Sequence, residues 1–91
     1  MLRFEWDESK ALENVRKHQV AFEEATTVFA DPLSITVADR QHSDIEERFI
    51  IIGESAERRL LVVVHTDANN IIRIISARMA TRKEQREYEE V

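Results

Sequence analysis

The sequence has no cysteine, one glycine, one proline, one tryptophan and one tyrosine in 91 residues. Without cysteine there is no disulfide, thiolate zinc site, iron–sulfur cluster or cysteine nucleophile. With Gly53 as the lone glycine, a glycine-lined phosphate cradle cannot be built. The GxGxxG, P-loop, GxSxG and EF-hand spacings are all absent. One Gly and one Pro also exclude collagen-like, linker-rich and low-complexity character. The longest apolar run, residues 60–64, is five residues, far short of a membrane span. The N-terminal MLRFEWDE carries no signal-peptide apolar region, so a cytoplasmic protein is expected. The histidines at 18, 42 and 65 form neither an H-x₃-H nor an HExxH pattern, so no metal or other cofactor is expected.

What is present suits a single domain over residues 1–91, with 43% hydrophobic residues for one core and 34% charged residues around it. The net charge of −5 is unevenly spread: residues 1–57 carry −7, residues 58–86 carry +5 and residues 87–91 carry −3. Six of the seven cations in the basic stretch are arginine, which favours bidentate phosphate or carboxylate partners. An acidic chain can therefore still present one basic face.

Alternation of Leu2, Phe4 and Trp6 with Arg3 and Glu5 predicts a strand. Asp7 is placed to cap a helix over about 8–18, with Ala11, Leu12 and Val15 as a thin apolar face. A second helix is expected over 22–30, stopped by Asp31–Pro32 because a residue before proline leaves the α region. A strand through Leu33, Ile35 and Val37 follows, then a polar loop over 39–47. Three β-branched runs, at 48–53, 60–66 and 71–76, have hairpin-length separators and should pair antiparallel. Thr81-Arg82-Lys83-Glu84 is a capping-box pattern opening a last helix over about 82–90. The order β-α-α-β-β-β-β-α reads as an α+β fold, an antiparallel sheet with two N-terminal helices and a short C-terminal one.

Several residues stand out chemically. Arg73 lies inside the apolar run IIRIIS, where a charge is costly unless paired or facing water. Arg78 is placed in a turn after that strand, and Arg82 just inside the last helix, where a cation opposes the helix dipole unless an anion is near. His65 is the best-placed titratable base, although alternation puts it on the face of Leu61 and Val63. His18 is suited to capping a helix C-terminus, and His42 reads as exposed.

The segments FEWDESKALENVRKHQVAFEEA, FADPLS, EERFIIIG, LLVVVHT and IRIISARMATRKEQREYEE carry the ordered set W-D-x-x-K, N-x-x-K-H, F-E-E-A, D-P and R-I-I-S-A-R-x-A-T-R-x-E. Over roughly residues 3–90 the chain resembles the BrnT family, toxins of type II toxin–antitoxin modules. The resemblance implies a RelE-like fold, metal-independent endoribonuclease activity that cuts mRNA and blocks translation, and neutralisation by a small BrnA-type antitoxin. That antitoxin binds DNA, so this chain would meet DNA only through it. Two positions depart from the family pattern: Gln19 stands where glycine is usual after K-H, and Ala21 where a capping Ser or Asp is usual. Such a ribonuclease must move two protons and neutralise phosphate charge in the transition state. The expected catalytic set is Arg78, Arg73, Arg82 and His65, with Arg58, Arg59, Lys17 and Lys83 contacting RNA. The rival expectation is a non-catalytic module that only binds its antitoxin and tunes DNA binding.

Overall fold

Strands form where β-branched residues cluster, and turns where the chain supplies residues that accept a left-handed backbone. In the computed structural model, which describes residues 2–42 and 46–90, the strands are β1 (Arg3–Glu5), β2 (Ile35–Ala38), β3 (Phe49–Glu54), β4 (Leu60–Ala68) and β5 (Ile71–Met79). The helices are α1 (Glu8–His18), α2 (Phe22–Thr27) and α3 (Arg82–Glu89). The element order is the expected one. The helix expected over 22–30 divides into α2 and a 3₁₀ turn at Val28–Ala30, and the polar loop holds another at Arg40–His42. Residues 43–45 of that loop lie outside the described residues.

The strands form one sheet in the order β1-β5-β4-β3-β2. The β2–β3, β3–β4 and β4–β5 pairs are antiparallel, as expected. β1 departs from the expectation: it lies parallel to β5, pairing Arg3 with Ile71 and Glu5 with Arg73, so the sheet is mixed. The hairpin strands also run longer than their apolar cores. Asn69 and Asn70, at φ 55° and 64°, form the two-residue turn between β4 and β5, a geometry that asparagine tolerates.

Helix ends follow local rules. The Asp7 carboxylate accepts from the Ser9 and Lys10 amides at 2.9 and 3.1 Å and starts α1. Gln19 takes the left-handed cap at φ 57°, where a glycine would sit without strain. Ala21 caps α2 with no side-chain bond. Phe22, Val20 and Val28 from the helical layer meet Leu61, Val63 and Ile74 of the sheet in one core, with Trp6 packed edge-on to Phe22 at 5.9 Å. Leu12 and Val15 do not join it: they are 69% and 46% exposed, and α1 buries Ala11 and Asn14 instead. Gly53 is required by close approach, because a Cβ there would stand 2.8 Å from Val28 Cγ1 and 3.0 Å from Ser34 Cβ. Among the described residues no helix is long and apolar enough to cross a membrane.

Candidate active site

Arg73 and Arg78 are five positions apart on β5, an odd spacing that strict alternation would send to opposite faces. The β4–β5 register resolves this. Val64 pairs with Ser76 but His65 pairs with Ile74, so Ile75 is one inserted residue, a β-bulge. The insertion resets the parity. Arg78 pairs with Val62, Ser76 with Val64 and Arg73 with Thr66, so all three leave the sheet on the face opposite the main core. β5 continues through Met79, so Arg78 is a strand residue and not the turn residue the sequence suggested.

α3 approaches this second face and holds Arg78. Arg78 Nη1 and Nη2 donate to Glu84 Oε1 and Oε2 at 2.8 and 2.9 Å, a bidentate pair, and Nη1 also reaches the Met79 carbonyl at 3.3 Å. Glu84 simultaneously closes the capping box that the sequence predicted: its Oε1 accepts from the Thr81 amide at 2.8 Å, and its own amide donates to Thr81 Oγ1 at 3.2 Å. The Arg78 guanidinium and these bonds hold the Glu84 carboxyl down at about 2. Arg82 and Lys83, in the first turn of α3, are exposed and form no ion pair among the described residues. The far end of α3 is anchored by the Tyr88 hydroxyl, which donates to Asp31 Oδ2 at 2.6 Å. Asp31 also accepts from the Glu54 and Leu33 amides, so the D-P motif joins β3, the β2 approach and α3.

Arg73 has a different environment. It pairs with Glu46 and lines a 430 Å³ cleft with Glu5, Glu47 and Asp67. This end of the face is acidic although an arginine stands in it.

The structure does not bring His65 to the arginines. It points into the core face as alternation predicts, is 3% exposed, and lies between Phe29 and Phe49 with ring centroids at 4.8 and 5.9 Å. Its Nδ1 has no hydrogen-bond partner among the described residues, and burial pushes its pKa down. Arg59 is also engaged on the core side: it forms an ion pair with buried Glu24, donates from Nε at 3.0 Å, and reaches the Gln19 carbonyl at 3.2 Å. Ser55 Oγ adds a 2.6 Å bond to the same carboxylate, so this cluster ties the β3–β4 hairpin to α2. Arg58 is exposed in the hairpin turn at φ 65°. Lys17 is exposed on α1, 3.8 Å from Glu13. His42 is exposed beside Asp39 at 3.1 Å.

The sequence reading missed Asn14. Its side-chain amide accepts from the Ala77 amide at 3.1 Å and donates to the Ala77 and Val20 carbonyls at 2.8 and 2.9 Å. It thereby takes the place of a neighbouring strand where β1 has ended. The signal was an asparagine on the inner stripe of a helix with only Ala11 beside it. Among the described residues no group of three or more His, Asp or Glu side chains is arranged to hold a metal ion.

Among curated proteins none matches the chain. A crystal structure of the Brucella abortus ribonuclease toxin BrnT superposes with a TM-score of 0.65 at 21% identity, covering 90% of this chain and 100% of that one, which establishes the shared fold. The family model described as "Ribonuclease toxin, BrnT, of type II toxin-antitoxin system" matches residues 6–84. With the expected order of strands and helices in place and the match spanning most of the sequence, the chain belongs to the BrnT family of ribonuclease toxins.

Proposed function

We propose that this chain is a metal-independent endoribonuclease that cleaves mRNA in the cytoplasm, blocks translation and is neutralised by a BrnA-like antitoxin. The observation that carries the reading is the β5 bulge, which sets Arg73, Ser76 and Arg78 on one face, with Arg82 and Lys83 exposed in the first turn of the helix that follows. Bulges re-aim side chains beside active sites. Arginine cations supply the charge stabilisation that the phosphate needs as the 2′-oxygen attacks and the 5′-oxygen leaves. Arg78 takes the central role: its guanidinium is already oriented by Glu84, and a phosphate can share or displace that carboxylate. Arg82 and Lys83 extend the cationic border, and Arg58 contacts RNA more remotely. Arg73, balanced by Glu46 and the surrounding acids, sets the limit of the site. His65 is shielded on the other face, so proton transfer falls to groups reaching the arginine face. The antitoxin would cover this face with carboxylates among the arginines, and the chain would contact DNA only through it.

The test is cleavage of a defined mRNA, naked and in a translating extract, with cut sites mapped by primer extension. Naked RNA is assayed with and without EDTA. Cuts that persist with EDTA and fall at least tenfold in Arg78→Ala are expected. Cuts that vanish with EDTA would refute metal independence, and undiminished cuts in Arg78→Ala would refute the site. A folded protein that cuts in no arm would leave the non-catalytic antitoxin-binding module as the better reading.

A further inference from the structure

The same bulge opens a second feature. Between α1 and the outer edge of β5 lies a cleft of 170 Å³ lined by Lys10, Glu13, Lys17, His18 and Ser76, with Ile75 and Asn14 at its base. Lys10, Lys17 and His18 recur at spacings of seven and eight, which puts them on one stripe of α1. Asn14, on that stripe, is bonded to Ala77, and this fixes the stripe against the strand. Glu13, the one acid, is shared between Arg16 and Lys17, the latter at 3.8 Å, so Lys10, Arg16 and Lys17 outweigh it and the cleft retains positive charge. Among the described residues the side chains of Lys10, His18 and Ser76 form no ion pair or hydrogen bond.

Ser76 faces both this cleft and the arginine face, one same-face step from Arg78, about 7 Å along the strand. A polyanion held at Arg78 has two ways to continue. Toward Arg73 it meets Glu5, Glu46, Glu47 and Asp67. Toward α1 it meets Lys10, Lys17 and His18. Electrostatics directs it to the second. We infer that the α1–β5 cleft is a phosphate-binding subsite that holds an RNA backbone phosphate next to the scissile one, through Lys10, Lys17, His18 and the Ser76 hydroxyl. The inference rests on the ribonuclease reading for the identity of the polymer, but not for the affinity for phosphate.

Two arms test it on the purified chain. In the first, inorganic phosphate is titrated against the imidazole NMR signals of His18, with sodium chloride at matched ionic strength. A saturable shift of His18 with phosphate, weakened at least fivefold in Lys10→Ala/Lys17→Ala, is expected. A response equal to that of chloride, or one unchanged in the double variant, would overturn the subsite. In the second, a single-stranded 2′-deoxy oligonucleotide, which lacks the attacking hydroxyl, is bound over a range of salt. Each phosphate contact on a single strand contributes about 0.7 to the log–log salt slope, so the double variant, which loses the one phosphate held in the cleft, should be shallower by about 0.7. Arg40→Ala, an exposed charge loss beyond β2 at the opposite sheet edge, should leave the cleft's share of the slope in place. Equal slopes for wild type and double variant would overturn the RNA assignment, even if free phosphate binds. Absence of RNA cleavage would count against the ribonuclease reading alone, because neither arm depends on turnover.

Discussion

Replacing Glu84 by glutamine separates two roles that one carboxylate performs. Glutamine still fits a capping box, because its carbonyl can accept from the Thr81 amide. It cannot form the charged, bidentate pair with Arg78. A carboxyl held at about 2 instead of 4.5 corresponds to about 3.4 kcal/mol, at ~1.36 kcal/mol per pH unit. Solvent screens part of this, since the Arg78 side chain is 41% exposed and that of Glu84 21%, and about 1–2 kcal/mol is the expected loss at pH 7. The sign follows from linkage: the folded-state pKa is depressed, so the stabilisation is complete above pH 4.5 and is lost as the pH falls toward 2. Urea unfolding of wild type and Glu84→Gln at pH 7, 4.5 and 3 measures the gap, which should narrow steadily with acid. A gap below about 0.3 kcal/mol at pH 7, or one of constant size down to pH 3, would refute the argument. Function should move the other way. With its carboxylate competitor gone, Arg78 should bind a non-cleavable oligonucleotide at least as tightly as in the wild type.

Two further substitutions examine the core face. His65→Leu should keep RNA cleavage within about threefold of wild type while flattening the loss of stability below pH 6.5. The buried imidazole has a lowered pKa, so protonation favours the unfolded chain, and urea midpoints at pH 7 and 5 report the difference. Asn14→Ala leaves the Ala77 amide and carbonyl and the Val20 carbonyl without their partner and should cost about 2–4 kcal/mol in chemical denaturation. A cost below about 1 kcal/mol would mean that water replaces the lost bonds.

Much of the fold was legible because its signals are local. Asp7, the Thr81–Glu84 capping box and the β-branched runs each act within a few residues of themselves. Gln19 and Ala21 were readable as departures only against the family pattern; Gln19 takes the left-handed cap position and Ala21 caps α2 without a side-chain bond. The parallel pairing of β1 with β5 was not legible, because it joins Arg3 to Ile71 across most of the chain and no periodicity records such a distance. Nor was the exposure of Leu12 and Val15. Hydrophobicity suggested that they were the buried stripe of α1, whereas Asn14 sits on that stripe because the edge of β5 needs hydrogen bonds there.

The candidate site lies between these cases. The residue types were readable: arginine in an apolar strand and at a helix start announces charge that something must satisfy. What could not be read is which arginine faces which way, because one inserted residue reverses every side chain beyond it. The bulge at Ile75 therefore decides three matters together. It sets Arg78 on the face of Arg73, it opens the cleft in which Ser76 meets α1, and it leaves Ile74 paired with His65 on the core side. Counting by twos would have put Arg78 with His65 and parted it from Arg73. The observed register does the reverse, and so the chemistry proposed for this chain rests on guanidinium groups on one face, with the imidazole of His65 left to the core.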